Sequence, residues 1–197
     1  GLIRIGGKRK KHAFMKGYKN IDVTSASRNI LPGGVKATTL SPLKGELGPV
    51  TIGDETWLNF ENWWQSSKVY PQLNHVSSDG TINNKYWAWR KKWQNTVKGS
   101  RHLPGTRVEQ LDQDGNVITK MNRGKLTRSL KSIIPAFAFH DGKKMSYIEA
   151  RKIYTREYCK AVKNTRAFRA ILDMERNGQN IMIIDGDADP IDQFPDG

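Results

Sequence analysis

Cysteine is nearly absent from this chain. Cys159 stands alone among 197 residues, which excludes a disulfide framework and a cysteine-based zinc site. The four histidines, His12, His75, His102 and His140, show no ligand spacing, so the sequence names no metal site and no cofactor. No run of about 18 apolar residues occurs, which argues against a membrane span. The first residues also lack the apolar stretch of a secretory signal. Together these absences predict an intracellular, cytoplasmic protein with no membrane partner. Acid is missing where base is dense: residues 1 to 20 hold Arg4, Lys8, Arg9, Lys10, Lys11, Lys16 and Lys19 with no Asp or Glu. Over the whole chain 33 Lys and Arg face 19 Asp and Glu, a net charge of +14, which favours an anionic partner such as nucleic acid, nucleotide or phosphate ester.

Aromatics are concentrated in one stretch, from Asn59 to Pro71, where Phe60, Trp63, Trp64 and Tyr70 stand among Glu61, Gln65 and Lys68. Taken as a helix, it has Asn59 as N-cap, Glu61 in the first turn where the helix dipole favours negative charge, and Pro71 as the stop. Offsets of three, four and seven residues then place Glu61, Trp64, Gln65 and Lys68 on one face. A core stripe would be apolar throughout and a solvent face would not carry a Trp. One face holding an acid, an amide, an amine and an indole therefore suits the wall of a polar pocket, or equally a core helix whose two charges project into water.

Elsewhere the chain alternates loops and short elements. Residues 1–19 read as a flexible basic arm, and Ile21 to Thr24 as a short strand. The Ser, Thr, Pro and Gly around Thr38-Thr39-Leu40-Ser41-Pro42 mean irregular backbone, able to cradle a phosphate or simply to turn corners. A second helix from an Asn84 cap through Val97 carries Tyr86, Trp89, Trp93 and Val97 as a core stripe, with Arg90, Lys91, Lys92 and Lys98 on a basic flank. Thr106 to Leu111 and Asn116 to Met121 alternate about Asp112-Gln113-Asp114-Gly115 as a hairpin, and the basic segment Arg123 to Lys131 follows. Asp141-Gly142 turns the chain toward Ser146 and Glu149, a capping box that opens a helix to Lys163. Thr165 caps another helix ending at Gly178. Ile181 to Ile184 is an apolar strand that delivers Asp185 at its carboxyl end. The expected architecture is α+β, a single domain, mainly helical with a small β-sheet, its helices near 57–70, 85–98, 146–163 and 165–177.

The order of these elements resembles the NADAR superfamily, in a phage-type form. The resemblance rests on Thr24-Ser25-Ala26-Ser27, Leu40-Ser41-Pro42 with Leu47-Gly48-Pro49, the Phe60 to Tyr70 run, Tyr147 to Tyr154, and Gly178-Gln179-Asn180-Ile181 leading to Ile184-Asp185-Gly186-Asp187. It covers roughly residues 20–190, within a NADAR-like domain of 20–197 in which the hairpin and basic segment of about 106–131 are an insertion; residues 1–19 precede it as an addition. The resemblance implies an N-glycosidase acting on ribosyl or ADP-ribosyl compounds, in host cytoplasm if phage-encoded.

Such a reaction passes through an oxocarbenium-like centre, so it needs a carboxylate to stabilise positive charge or prepare a water. Glu61 is the first candidate. Alternatively an amine attacks the anomeric carbon, which requires a lysine partly neutral at working pH. For Lys68, burial among the aromatics would lower the pKa while Glu61 and the helix C-terminus would raise it, and spacing leaves the sign open. Asp185, the third catalytic candidate, would hold a ribose hydroxyl. Trp64 would stack on a base, Gln65 hold a hydroxyl or base edge, and Arg101 and Arg151 bind phosphate bidentately. Ser41 and Tyr154, from the resembling elements, complete the substrate set. The competing expectation is a non-catalytic accessory or virion protein that engages nucleic acid through Lys8, Arg9, Lys10, Lys11, Arg123, Lys125 and Arg128.

Overall fold

The computed structural model describes residues 1–7, 15–24, 27–42, 47–100, 103, 106–122 and 125–185. Helix and strand are mixed throughout. Strands β1 (Ile3–Gly7), β2 (Lys19–Asp22), β3 (Ile30–Leu31), β4 (Val35–Lys36), β5 (Val50–Ile52) and β6 (Glu55–Trp57) precede helix α1 (Phe60–Ser66). Then come β7 (Lys68–Val69), α2 (Asn84–Gln94), β8 (Arg107–Glu109), β9 (Thr119–Asn122), β10 (Lys125–Arg128), β11 (Leu130–Ser132), β12 (Phe137–His140) and β13 (Lys143–Met145). Helices α3 (Tyr147–Val162) and α4 (Arg166–Arg176) and strand β14 (Ile181–Asp185) close the series. Among the described residues the strands form six small sheets, where one was expected.

The chain gathers into two compact units. The first takes Gly1–Phe60, Val97–Gly99 and the chain from Thr155 onward; the second takes Glu61–Thr96 and Ser100–Tyr154. In the first unit β14 lies between β1 and β2 in an all-parallel sheet, with Ile183 in register with both Ile5 and Ile21. Residues 3–7, expected in a flexible arm, are therefore a strand; their apolar-basic composition hides this because the partner lies 178 residues away. Met182 and Ile184 pack with Met15 and Tyr18. Helix α4 packs against β3, β4 and β14 through a buried stripe of Ala167, Ile171 and Met174 at offsets of four and three. Its N-cap is Thr165, whose hydroxyl accepts from the Phe168 N–H at 3.1 Å. Gly48 lies so close to the Leu58 carbonyl that any side chain there would collide.

In the second unit the sheet β13-β12-β7 carries the site. The turn between β12 and β13 uses Asp141 (φ 50°) and Gly142 (φ 74°), both left-handed as a two-residue hairpin requires. Helix α3 opens with the expected capping box: the Ser146 N–H donates to Glu149 Oε2 at 2.8 Å and the Glu149 N–H to Ser146 Oγ at 3.2 Å. The cap of α2 is Asn83, one residue before the expected Asn84. Tyr86 and Trp93 are buried as expected, but Val97 is exposed beyond the helix and Arg90, expected on the solvent flank, is buried. The 106–121 hairpin is corrected: β8 pairs with β11 and β9 with β10, so the expected turn survives as an isolated Leu111–Val117 bridge. Part of the basic segment is thereby strand.

Candidate functional site

Helix α1 is shorter than the sequence suggested. It stops at Ser66: the Ser67 N–H is shared between the Trp63 and Trp64 carbonyls at 3.2 and 3.3 Å, and Ser66 Oγ and Ser67 Oγ donate to the same two carbonyls at 3.2 and 2.8 Å, so the last carbonyls are satisfied locally. Pro71 then restricts Tyr70 to extended backbone (φ −116°, ψ 108°). Lys68 accordingly sits on β7, opposite Ala138 of β12. It is fixed by a sheet rather than by a second helical turn. Asn62 anchors the helix to the chain after α2: its side-chain NH2 donates to the Thr96 carbonyl at 2.9 Å, and its oxygen accepts from the Ser100 N–H at 3.0 Å. The Tyr86 hydroxyl donates to the Ser66 carbonyl at 3.0 Å, fixing the helix end as well.

This framework brings Glu61, Gln65 and Lys68 into one hydrogen-bonded chain. Gln65 Nε2 donates to Glu61 Oε1 at 2.7 Å, and Lys68 Nζ donates to Gln65 Oε1 at 2.8 Å. Glu61 and Lys68 are both more than nine-tenths buried. The Lys68 ammonium lies 5.1 Å from the Trp64 ring and 5.4 Å from that of Tyr147. Burial pulls its pKa down from 10.5 to about 8; the Glu61 charge works against this and the nearby Arg151 charge adds to it. The sign that spacing left open is therefore set by desolvation.

Trp64 is enclosed. Tyr154 lies 4.8 Å and Tyr147 5.6 Å from it between ring centroids, and His140 lies nearly parallel to it at 6.4 Å. With only 6 % of its surface exposed, Trp64 forms the floor of the cluster and presents no free face for a base, while Tyr147 is 42 % exposed. Burial and the neighbouring Tyr147 push the Tyr70 phenol up to about 12, so it stays a neutral donor. Tyr147 and His140 were not among the predicted site residues. The one sequence signal for His140 is the Asp141-Gly142 turn, which fixes the strand carrying it.

Of the remaining candidates, Arg151, exposed on α3, and Tyr154 join the cluster, and the others fall elsewhere. Ser41 and Asp185 belong to the first unit. There the Tyr158 hydroxyl donates to the Leu40 carbonyl beside Ser41 at 2.7 Å, and burial, followed by the Asp185 charge, raises the Tyr158 pKa to about 12. Arg128 is exposed but paired with Glu109 at 2.9 Å. Lys125 falls in β10, while Lys8, Arg9, Lys10, Lys11, Arg101 and Arg123 lie outside the described residues. No helix among the described residues is long and apolar enough to cross a membrane. Comparison with known proteins gives no match to a family model, a curated protein or a solved structure.

Proposed function

We propose that the second unit carries an N-glycosidase centre that cleaves a ribosyl or ADP-ribosyl N-glycosidic bond in a nucleotide or modified nucleic acid. The observation that carries this reading is a buried lysine of pKa about 8 joined through one amide to a buried carboxylate. At pH 7 such an amine is neutral in roughly one molecule in ten, against roughly one in 3,000 for an ordinary lysine. That is the fraction a nucleophile needs.

In the proposed reaction neutral Lys68 Nζ attacks the anomeric carbon while the bond to the base nitrogen breaks. The base leaves with the bonding pair and takes up a proton. Loss of the proton from the new C–N link and opening of the ribose ring give an imine, which water hydrolyses to free sugar and amine. Glu61 offsets the positive charge that develops, a carboxylate role shared with O-glycosidases. Gln65 holds the two groups at a fixed separation. Tyr147 offers the leaving base an aromatic face, and Arg151 offers a phosphate a bidentate guanidinium. The resemblance to NADAR-type N-glycosidases supports the same assignment from the sequence side.

Incubation with ADP-ribosylated DNA and with free ribosyl nucleotides, followed by mass spectrometry, tests it. Release of the base or of ADP-ribose by the natural chain and not by Lys68→Ala is expected. No release from any of these substrates, or undiminished release by the variant, overturns it.

A further inference from the structure

Strand β12 has two faces within the second unit. Ala138 and His140 are buried on one, the second lying by Trp64 in the lysine cluster, while Phe137 and Phe139 alternate onto the other. On that second face Phe139 meets Trp87 of α2, with ring centroids 5.4 Å apart and planes at 80°. The neighbouring Tyr86 ring also stands at 76° to the indole. Neither ring stacks on Trp87, and its residue is 42 % exposed.

The surroundings say what fits. Between Asp79 and Glu109 the sequence contains no acidic residue. Helix α2 carries exposed Lys85, Lys91 and Lys92; Lys91 lies one turn from Trp87 on the same helical face, while Lys85 and Lys92 lie about 140–160° further round the exposed side of the helix, with Lys92 Nζ 5.8 Å from the Trp93 ring. Arg90 is buried and contributes no surface charge. Across the hairpin Lys144 pairs with Phe139 in the β12–β13 register, but it donates to the Gly80 carbonyl and faces Asp79, so the positive excess rests on the helix lysines.

We propose that Trp87 with Lys85, Lys91 and Lys92 is a binding platform for single-stranded nucleic acid, the indole stacking on an unpaired base and the lysines following the phosphates. A duplex keeps its base faces inside the stack and cannot use the indole this way; an acidic peptide offers charge but few planar rings. The platform stands whether or not the glycosidase reading holds, since it occupies the face of β12 opposite His140.

The test is fluorescence anisotropy of the full chain with a labelled 20-nucleotide oligo-dT, with oligo-rU, duplex DNA and polyglutamate as competitors. Trp87→Ala should weaken oligo-dT binding about tenfold or more, the scale of one base–aromatic stack, while Trp87→Phe retains most of it. Replacing Lys91 and Lys92 together by Ala should reduce the salt slope by about 1.4, or about 0.7 for each single-strand phosphate that a lysine no longer neutralises. Oligo-rU should compete better than duplex or polyglutamate. Binding within twofold of the natural chain in Trp87→Ala, or displacement by duplex or polyglutamate as effective as by single strands, overturns the proposal. Should Trp87→Ala melt early, Lys91→Glu with Lys92→Glu replaces it on the exposed helix face, and unchanged affinity there is equally decisive. Hydrolysis of a free ribosyl nucleotide by these variants reports separately on the lysine centre.

Discussion

Lys68 Nζ lies 2.8 Å from the amide oxygen of Gln65, so this buried amine donates to a neutral acceptor and not directly to a carboxylate. Its titration is thus governed by burial first and by Glu61 and Arg151 afterwards. If neutral Lys68 is the reacting form, kcat/KM should rise with pH and level off above about 8. Arg151→Glu removes a charge that lowers the pKa and adds one that raises it, so the rising limb should move to higher pH. A limb unmoved by this exposed substitution would remove Lys68 from the rate profile. The same group affects stability between pH 8 and 10.5: there the unfolded chain holds more protons than the folded one, so stability from this lysine grows as pH rises through that window.

Borohydride added during turnover should trap a ribosyl adduct on Lys68, read by peptide mass spectrometry. Lys68→Ala should abolish trapping and hydrolysis together while the far-ultraviolet circular dichroism stays unchanged. Glu61→Gln keeps shape and loses charge; a fall of roughly 10²–10⁴-fold in kcat is expected if the carboxylate stabilises the cationic centre or activates water. Full rate in Glu61→Gln would leave Glu61 only a positioning role.

His75 predicts an acid-sensitive fold. It is 2 % exposed among Tyr70, Tyr86 and Trp89, its Nδ1 accepts from the Tyr70 N–H at 3.3 Å, and burial holds its pKa down at about 4. From pH 6.5 down to 4 the unfolded chain gains a proton that the folded chain refuses. Stability should therefore fall across that window, by up to about 3 kcal/mol from this residue. Denaturation curves at steps of pH, with the His75 imidazole followed by NMR, check this; a His75 titration near 6.5 would contradict it.

Thr165→Ala should cost about 1–2 kcal/mol in urea unfolding, since one hydroxyl both accepts from the Phe168 N–H and donates to the Val162 carbonyl at 2.8 Å. Thr165→Ser should recover most of the loss. Equal stability of all three chains would mean the cap is replaced by water.

Local signals carried much of this architecture. The Ser146–Glu149 box and the Thr165 cap marked α3 and α4 because a helix start is written within four residues. The Phe60 to Lys68 cluster was visible for the same reason, as a helix drawn too long at its carboxyl end: spacing alone could not register that Ser66 and Ser67 would turn their hydroxyls onto the helix carbonyls. What stayed hidden depends on distant partners. β1 is a strand only because β14 pairs with it, and β8 takes β11 instead of its sequence neighbour. Tyr147 reaches Lys68, and His140 reaches Trp64, from elements some seventy to eighty residues further along, a proximity no periodicity encodes.

The middle position of β14 imposes an order on assembly. During synthesis β1 and β2 emerge first, and each must wait for Ile181–Asp185 before its hydrogen bonds can close. Closing so long a loop is slow, and pairings of this span belong to late folding events. Through that interval Leu2, Ile3 and Ile5, still 58, 42 and 50 % exposed in the finished fold, border an unpaired strand. Such an edge recruits any free strand nearby, so yield on refolding should depend on chain concentration far more than on the strength of the finished core.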